Sequence, residues 1–190
     1  MLSIILPSYN EGKNISKASG VISELLASNN IPYELIFVDD GSKDDTWNEI
    51  EKASKGNPNV VGIHFSRNFG KESALFAGLA ESTGDACIVM DCDLQDRPES
   101  IIELYNKAQE GYDVVFARRK GRKDTWLTKR LSKLFYKVYD YFTDGNFDSS
   151  ICNFSISKRK VIDSYCRMRE PNRAFVMFVR WLGFNQTAIE

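Results

Sequence analysis

Ala86-Cys87-Ile88-Val89-Met90 is a short apolar run that passes without a spacer into Asp91-Cys92-Asp93-Leu94-Gln95-Asp96-Arg97-Pro98-Glu99. The run reads as a buried β-strand that ends in alternating carboxylates. Comparable runs recur at residues 2–6, 34–38, 60–65 and 113–117. Between them lie stretches with helical spacing, for example Ile15, Val21, Ile22 and Leu25, then Trp47 and Ile50, then Ala74, Leu75 and Leu79, then Ile101 and Leu104. Strand alternating with helix predicts an α/β fold, a Rossmann-like, mostly parallel sheet with helices on both faces. Open sheets of this kind hold ligands beyond the carboxyl ends of their strands. Function is therefore expected in the loops at residues 7–14, 39–45, 66–71, 91–98 and 118–123.

The chain has 190 residues, with 25 Lys plus Arg against 26 Asp plus Glu, 43% hydrophobic and 27% charged residues. That balance belongs to a globular domain and excludes disorder, collagen-like repeats and a generic polycationic nucleic-acid binder. The four cysteines, Cys87, Cys92, Cys152 and Cys166, form no CxxC pair, so neither a disulfide framework nor a zinc cage is indicated and a reducing cytosol fits. Residues 1–6 lack the basic start and the length of a signal peptide, and no apolar run approaches the roughly 18 residues of a membrane span. Residues 1–190 read as one domain. After Lys123 helices are expected to dominate, with one short strand near residues 153–156, and the absence of a helix stop signal in residues 183–190 predicts that the native chain continues. The lone histidine, His64, falls inside an expected strand and reads as structural.

Asp91 and Asp93, one residue apart at a strand end, can present oxygens on a shared turn to a hard divalent cation. Mg²⁺ takes one or two carboxylates and completes its shell with substrate phosphates and water, so such a site predicts a diphosphate ligand together with the metal. The same residues also read as a solvated turn before the helix that Pro98 opens. A second group, Pro7-Ser8-Tyr9-Asn10-Glu11 with Val38-Asp39-Asp40-Gly41-Ser42-Lys43-Asp44, supplies an aromatic wall and carboxylate acceptors suited to a uracil or guanine ring. Its Asp and Ser equally suit helix capping.

Four strings in register, Pro7-x-Tyr9-Asn10-Glu11, Val38-Asp39-Asp40-Gly41-Ser42-x-Asp44, Arg67-Asn68-Phe69-Gly70-Lys71 with Ala74 and Gly78, and Asp91-x-Asp93-Leu94-Gln95-Asp96-x-Pro98-Glu99, closely resemble glycosyltransferase family 2 enzymes of the GT-A fold. Within that family they look most like the polyprenyl-phosphate group, which includes dolichol-phosphate mannosyltransferase and bactoprenol glucosyltransferase. The resemblance implies a nucleotide-sugar site within residues 1–123, served by UDP- or GDP-linked donors. Pro7, Tyr9, Glu11, Asp39 and Asp40 would hold the nucleoside, and Lys71 would lie near the nucleotide. Asp91 and Asp93 would bind Mg²⁺ or Mn²⁺ and the sugar diphosphate, and Gln95 would sit where donor and acceptor meet.

Residues 118–137 hold nine basic residues and one acid. A guanidinium grips a phosphate with two parallel hydrogen bonds, so Arg119 and Arg122 are candidates for an acceptor lipid phosphate. Residues 126–142 combine a Leu-Phe stripe with Lys and Arg on other faces and interleaved Trp and Tyr, which suits an anionic bilayer surface as well as core packing. Residues 169–184 are a second such segment, interrupted by Arg180. The expected setting is the cytoplasmic, inner face of the cell membrane, with continuation into membrane helices. A homo-oligomer is admitted, and no oligomeric state is fixed. Lipid-phosphate relatives carry an Asp-Phe-Arg-Leu-like string where this chain has Asn153-Phe154-Ser155-Ile156. The alternatives are transfer to a saccharide or protein hydroxyl, with Asp144, Asp148 or Glu170 as the base, and a silent nucleotide-binding module.

Overall fold

The computed structural model describes residues 1–118, 151–170 and 174–190. In chain order the elements are β1 (Leu2–Ser8), α1 (Gly12–Ser28), β2 (Tyr33–Asp39), α2 (Thr46–Gly56), β3 (Val60–His64), α3 (Lys71–Glu81), β4 (Ala86–Val89), α4 (Ser100–Gln109), β5 (Val114–Arg118), β6 (Ile151–Lys158), α5 (Arg159–Arg167), α6 (Phe175–Trp181) and β7 (Gln186–Ile189). The strands form one sheet in the order β3-β2-β1-β4-β6-β5-β7. Every pairing is parallel except the two made by β6, which runs antiparallel between β4 and β5.

Alternation along the strands explains why both faces are covered. Leu2, Ile4 and Leu6 of β1 and Leu35 and Phe37 of β2 meet Ile15, Ile22 and Leu26 of α1, Ile50 of α2 and Leu104 of α4. The intervening residues Ile5, Ile36 and Val38 face the other way, onto Ala74, Leu75 and Leu79 of α3, with Val161 and Tyr165 of α5 and Phe175 of α6 in the same layer. All of these side chains are buried, so each central strand is apolar on both sides. Pro7 has no N–H to give to a ladder and sits in a central strand. It is tolerated there because the ladder to β4 ends at the pair Ile5 and Val89, two residues earlier.

The mostly parallel α/β sheet agrees with the sequence reading, and the five N-terminal strands fall within two residues of their expected ends. The C-terminal part departs from it. The short strand expected near residues 153–156 is eight residues long and inserts into the middle of the sheet, and β7 adds a further parallel edge strand. Residues beyond 123 therefore complete the sheet as well as adding helices.

Candidate active site

The strand order reverses between β1 and β4, with the chain moving from β1 toward β2 on one hand and from β4 toward β5 on the other, the place where open sheets hold ligands at their carboxyl ends. A cavity of about 300 Å³ lies at this point. β1 and the loop after it contribute Pro7, Ser8, Tyr9 and Glu11, and the end of β2 contributes Asp40. Asn68, Gly70, Lys71 and Ala74 enter from the start of α3, and Asp91, Cys92 and Asp93 from the end of β4.

Asp39 and Asp40 are adjacent yet serve opposite sides, as alternation requires. Asp40 continues the face of Ile36 and Val38, toward α3. Its Oδ1 accepts the Phe69 N–H at 2.7 Å and its Oδ2 accepts the Gly70 N–H at 2.9 Å, which fixes the backbone just ahead of α3. Asp39 continues the face of Leu35 and Phe37. It is fully buried, accepts the Ser42 N–H on Oδ1 at 3.0 Å, and lies 2.8 Å from His64 Nδ1 through Oδ2. Asp40 lines the cavity and Asp39 does not, although the fold engages both oxygens of each carboxylate. His64 is the last residue of β3, within the expected strand.

Between the two loops Gly41 adopts φ +66°, and a Cβ there would lie 2.3 Å from the Arg67 carbonyl carbon. Only glycine permits this crossing of backbones. Glu11 donates its N–H to Thr46 Oγ1 at 2.8 Å and accepts from Asn14 Nδ2 on Oε2, so its carboxylate is held at the rim.

The acidic end of the cavity is built on a tight turn. Asp93 Oδ1 accepts the Gln95 N–H at 3.0 Å, and Leu94 between them has φ 56°, a left-handed conformation that is uncommon for a branched side chain. Leu94 packs against the core, which holds that conformation in place. Gln95 is exposed and outside the lining residues. Lys71 Nζ lies 2.5 Å from Asp91 Oδ1, so an ammonium already rests on the carboxylate expected to take a cation. Burial, reinforced by the charges of Glu11, Asp91 and Asp93, pushes the Cys92 thiol up to about 11. Its sulfur accepts a hydrogen bond from Ser8 Oγ at 3.5 Å.

The donor set fits a hard divalent ion. Asp91 and Asp93 offer carboxylate oxygens alone, and among the described residues no three His, Cys, Asp or Glu gather into a closed metal cage. Two carboxylates leave most of a Mg²⁺ or Mn²⁺ shell to ligand phosphates and water. The acceptor-side candidates Arg119 and Arg122, the amphipathic stretch 126–142, and Asp144 and Asp148 lie outside the described residues. Asn68, Gly70 and Ala74 belong to a string recognised in the sequence without individual roles. Ser8 and Cys92 carried no signal beyond their place among the motif residues.

The sequence matches the model of the family described as glycosyl transferase family 2 over residues 3–166. The chain belongs to glycosyl transferase family 2. An uncharacterized glycosyltransferase of Bacillus subtilis, YkcC, is 40% identical over 189 residues, covering 99% of this chain and 58% of the relative. A prophage bactoprenol glucosyl transferase homolog of Escherichia coli is 35% identical over 190 residues, covering 100% of this chain and 62% of the relative. The chain thus spans about three fifths of the length of the curated relatives it matches. Among solved structures, a mannosyltransferase of Pyrobaculum calidifontis in complex with GDP-Man and Mn²⁺ superposes with a TM-score of 0.63 at 16% identity, covering 99% of this chain and 54% of that one. Glucosyl-3-phosphoglycerate synthase of Mycobacterium tuberculosis, solved with Mn²⁺, UDP and glucosyl-3-phosphoglycerate, gives 0.63 at 21% identity, covering 85% of this chain and 57% of that one. These likenesses establish the GT-A fold.

Proposed function

We propose that this family 2 chain transfers a sugar, with inversion, from a UDP- or GDP-linked donor to a polyprenyl phosphate at the cytoplasmic face of a membrane. The observation that carries the proposal is the convergence of Tyr9, Glu11, Asp40, Lys71, Asp91 and Asp93 on one cavity at the strand-order reversal. Tyr9 and Pro7 form a wall for the base, and Glu11 and the lone pairs that the two backbone bonds leave on Asp40 supply acceptors beside it. Asp91 and Asp93 would hold Mg²⁺ or Mn²⁺, which neutralises the charge that develops on the departing diphosphate. Lys71 adds a fixed positive charge at the same end.

The acceptor is proposed from the bactoprenol glucosyl transferase relatives. A phosphate monoester has its second pKa at about 6 and is largely dianionic at neutral pH, so it needs no base to act as a nucleophile. Its oxygen forms the new bond to the anomeric carbon on the face opposite the leaving group. The bond from that carbon to the diphosphate oxygen breaks, and the nucleoside diphosphate leaves with the electron pair. Among the described residues no helix is long and apolar enough to cross a membrane. Contact with the bilayer would fall to residues 126–142, since in the 169–184 segment Phe175 and Val179 are buried in the core and Trp181 is the large apolar side chain left exposed.

The test is transfer of labelled sugar from UDP-glucose or GDP-mannose to a short polyprenyl phosphate with Mn²⁺. Label in the lipid that requires the phosphate supports the proposal, and label confined to saccharide or protein hydroxyls refutes the acceptor. Asn153 and Ser155 in β6, in place of a carboxylate and an arginine, favour that second reading. Metal-dependent hydrolysis of either donor would dispose of a silent nucleotide-binding module.

A further inference from the structure

We propose that His64 is a positioning residue for nucleotide binding, acting through Asp39 on the loops that shape the nucleoside end of the cavity. The inference rests on the reading that this cavity takes a nucleoside diphosphate. His64 and Asp39 are register partners at the ends of β3 and β2. His64 Nδ1 lies 2.8 Å from Asp39 Oδ2, and the carboxylate is wholly removed from solvent while the imidazole is half-exposed. With the Asp39 oxygen accepting, the hydrogen of this bond lies on Nδ1. The ring lies against Trp47 of α2, with centroids 4.7 Å apart and planes tilted by 32°, and this contact fixes its direction.

From Asp39 a continuous path of hydrogen bonds leads to the cavity rim. Oδ1 accepts the Ser42 N–H at 3.0 Å, Ser42 Oγ accepts the Asn10 N–H at 2.8 Å, and Asn10 Oδ1 accepts the Lys43 N–H at 2.9 Å. Asn10 holds φ 56° and sits between Tyr9 and Glu11, both of which line the cavity. His64, Asp39, Ser42 and Asn10 do not line it. They orient residues that do. Asp39 has no water to turn to, so losing the His64 donor leaves a buried carboxylate oxygen unpaired. The carboxylate must then rotate or admit solvent, and either movement disturbs the Ser42 bond and the Tyr9-Asn10-Glu11 backbone beyond it.

The two amide side chains separate this role from simple filling of space. The side-chain nitrogen of asparagine stands at the same bond count from Cα as Nδ1, whereas that of glutamine stands one bond farther out, like Nε2. Both lose the ring that meets Trp47. His64→Asn and His64→Gln are compared with the native chain in two measurements, after circular dichroism shows each to be folded. The first is the dissociation constant for uridine and guanosine diphosphates with Mn²⁺. The second is amide hydrogen exchange at Ser42 and Lys43. His64→Asn is expected to bind within about threefold of native, and His64→Gln about tenfold more weakly, with faster exchange at both amides in the Gln variant alone. Two variants indistinguishable from native, or two that lose affinity and protection equally, overturn the proposal, the latter because the ring contact with Trp47 would then decide. If neither diphosphate binds the native chain, the functional reading fails. The exchange comparison still decides the positioning role, since faster exchange in His64→Gln than in His64→Asn upholds it and equal exchange refutes it.

Discussion

Replacing Asp40 by Asn changes one oxygen into an NH₂ group and leaves the shape almost untouched. Both native oxygens accept backbone N–H groups, from Phe69 at 2.7 Å and Gly70 at 2.9 Å, and the residue is 3% exposed. The amide oxygen can keep one of these bonds, and the NH₂ must then face the other N–H, donor against donor. A hydrogen bond to a charged acceptor is worth about 1.5–3 kcal/mol, and an unpaired buried donor costs about 1–3 kcal/mol more unless the loop moves to water. Allowing for part of that relaxation, about 3 kcal/mol of stability should be lost, or roughly 6–12 °C in Tm for a chain of this size. The loosened segment carries Asn68, Gly70 and Lys71 into the cavity wall, so affinity for uridine or guanosine diphosphate should fall with it. Urea unfolding at constant m-value and titration calorimetry on the same preparations measure the two effects. A variant within about 0.5 kcal/mol of native, with unchanged nucleotide affinity, would refute the assignment of Asp40 as the clamp between β2 and α3.

Gly41→Ala should cost at least about 2 kcal/mol in urea unfolding, since φ is +66° and the added Cβ would meet the Arg67 carbonyl carbon at 2.3 Å. An unchanged midpoint would contradict that crossing of the two loops. Burial acts to raise the Glu34 carboxyl, but hydrogen bonds from Ser3, Thr83 and Gly84 outweigh it and hold the group below its ordinary value. A depressed folded value contributes stability above the unfolded pKa of about 4.3 and loses it as pH falls through the folded value. Glu34→Gln should therefore destabilise by about 1 kcal/mol at neutral pH, a figure reduced for partial solvent access, with the gap closing below about pH 4. A gap that stays constant from neutral to acid pH would disprove the charge-assisted role. Cys92→Ser should leave Mn²⁺ affinity within about twofold, because the native side chain is 2% exposed and the flanking Asp91 and Asp93 supply the oxygen donors that a hard cation takes. A tenfold loss, read by Mn²⁺ paramagnetic resonance, would make the thiol a ligand.

The parallel core was legible because its central strands β1 and β2 are buried on both sides and read as unbroken apolar runs, Ile4-Ile5-Leu6 and Ile36-Phe37-Val38. The place of β6 was not. Only Phe154, Ser155, Ile156 and Ser157 within Ile151–Lys158 are buried, two of them serines, so the segment lacks the apolar density that marks a central strand. Its insertion between β4 and β5 depends on pairings distant in sequence, as with Ile88 and Ile156. β7 is four residues at an edge and opens with the exposed Gln186, which gives no periodicity to read. For the candidate site, the motifs named the loops that meet, and Pro7, Tyr9, Glu11, Asp40, Lys71, Asp91 and Asp93 do share one cavity. Two adjacent acids look alike in sequence, while the parity of the strand sends Asp39 toward α2 and His64 and Asp40 toward α3.

The central claim is that Asp91 and Asp93 together hold a divalent ion against a nucleoside diphosphate. Calorimetric titration of uridine and guanosine diphosphates into the native chain and an Asp91→Asn/Asp93→Asn double variant, each with Mn²⁺ and with chelator, tests it directly. The account predicts that one of the two diphosphates binds the native chain at least about tenfold more tightly with Mn²⁺ and that the double variant shows no such gain. Equal affinity in both proteins, with or without the metal, would contradict it.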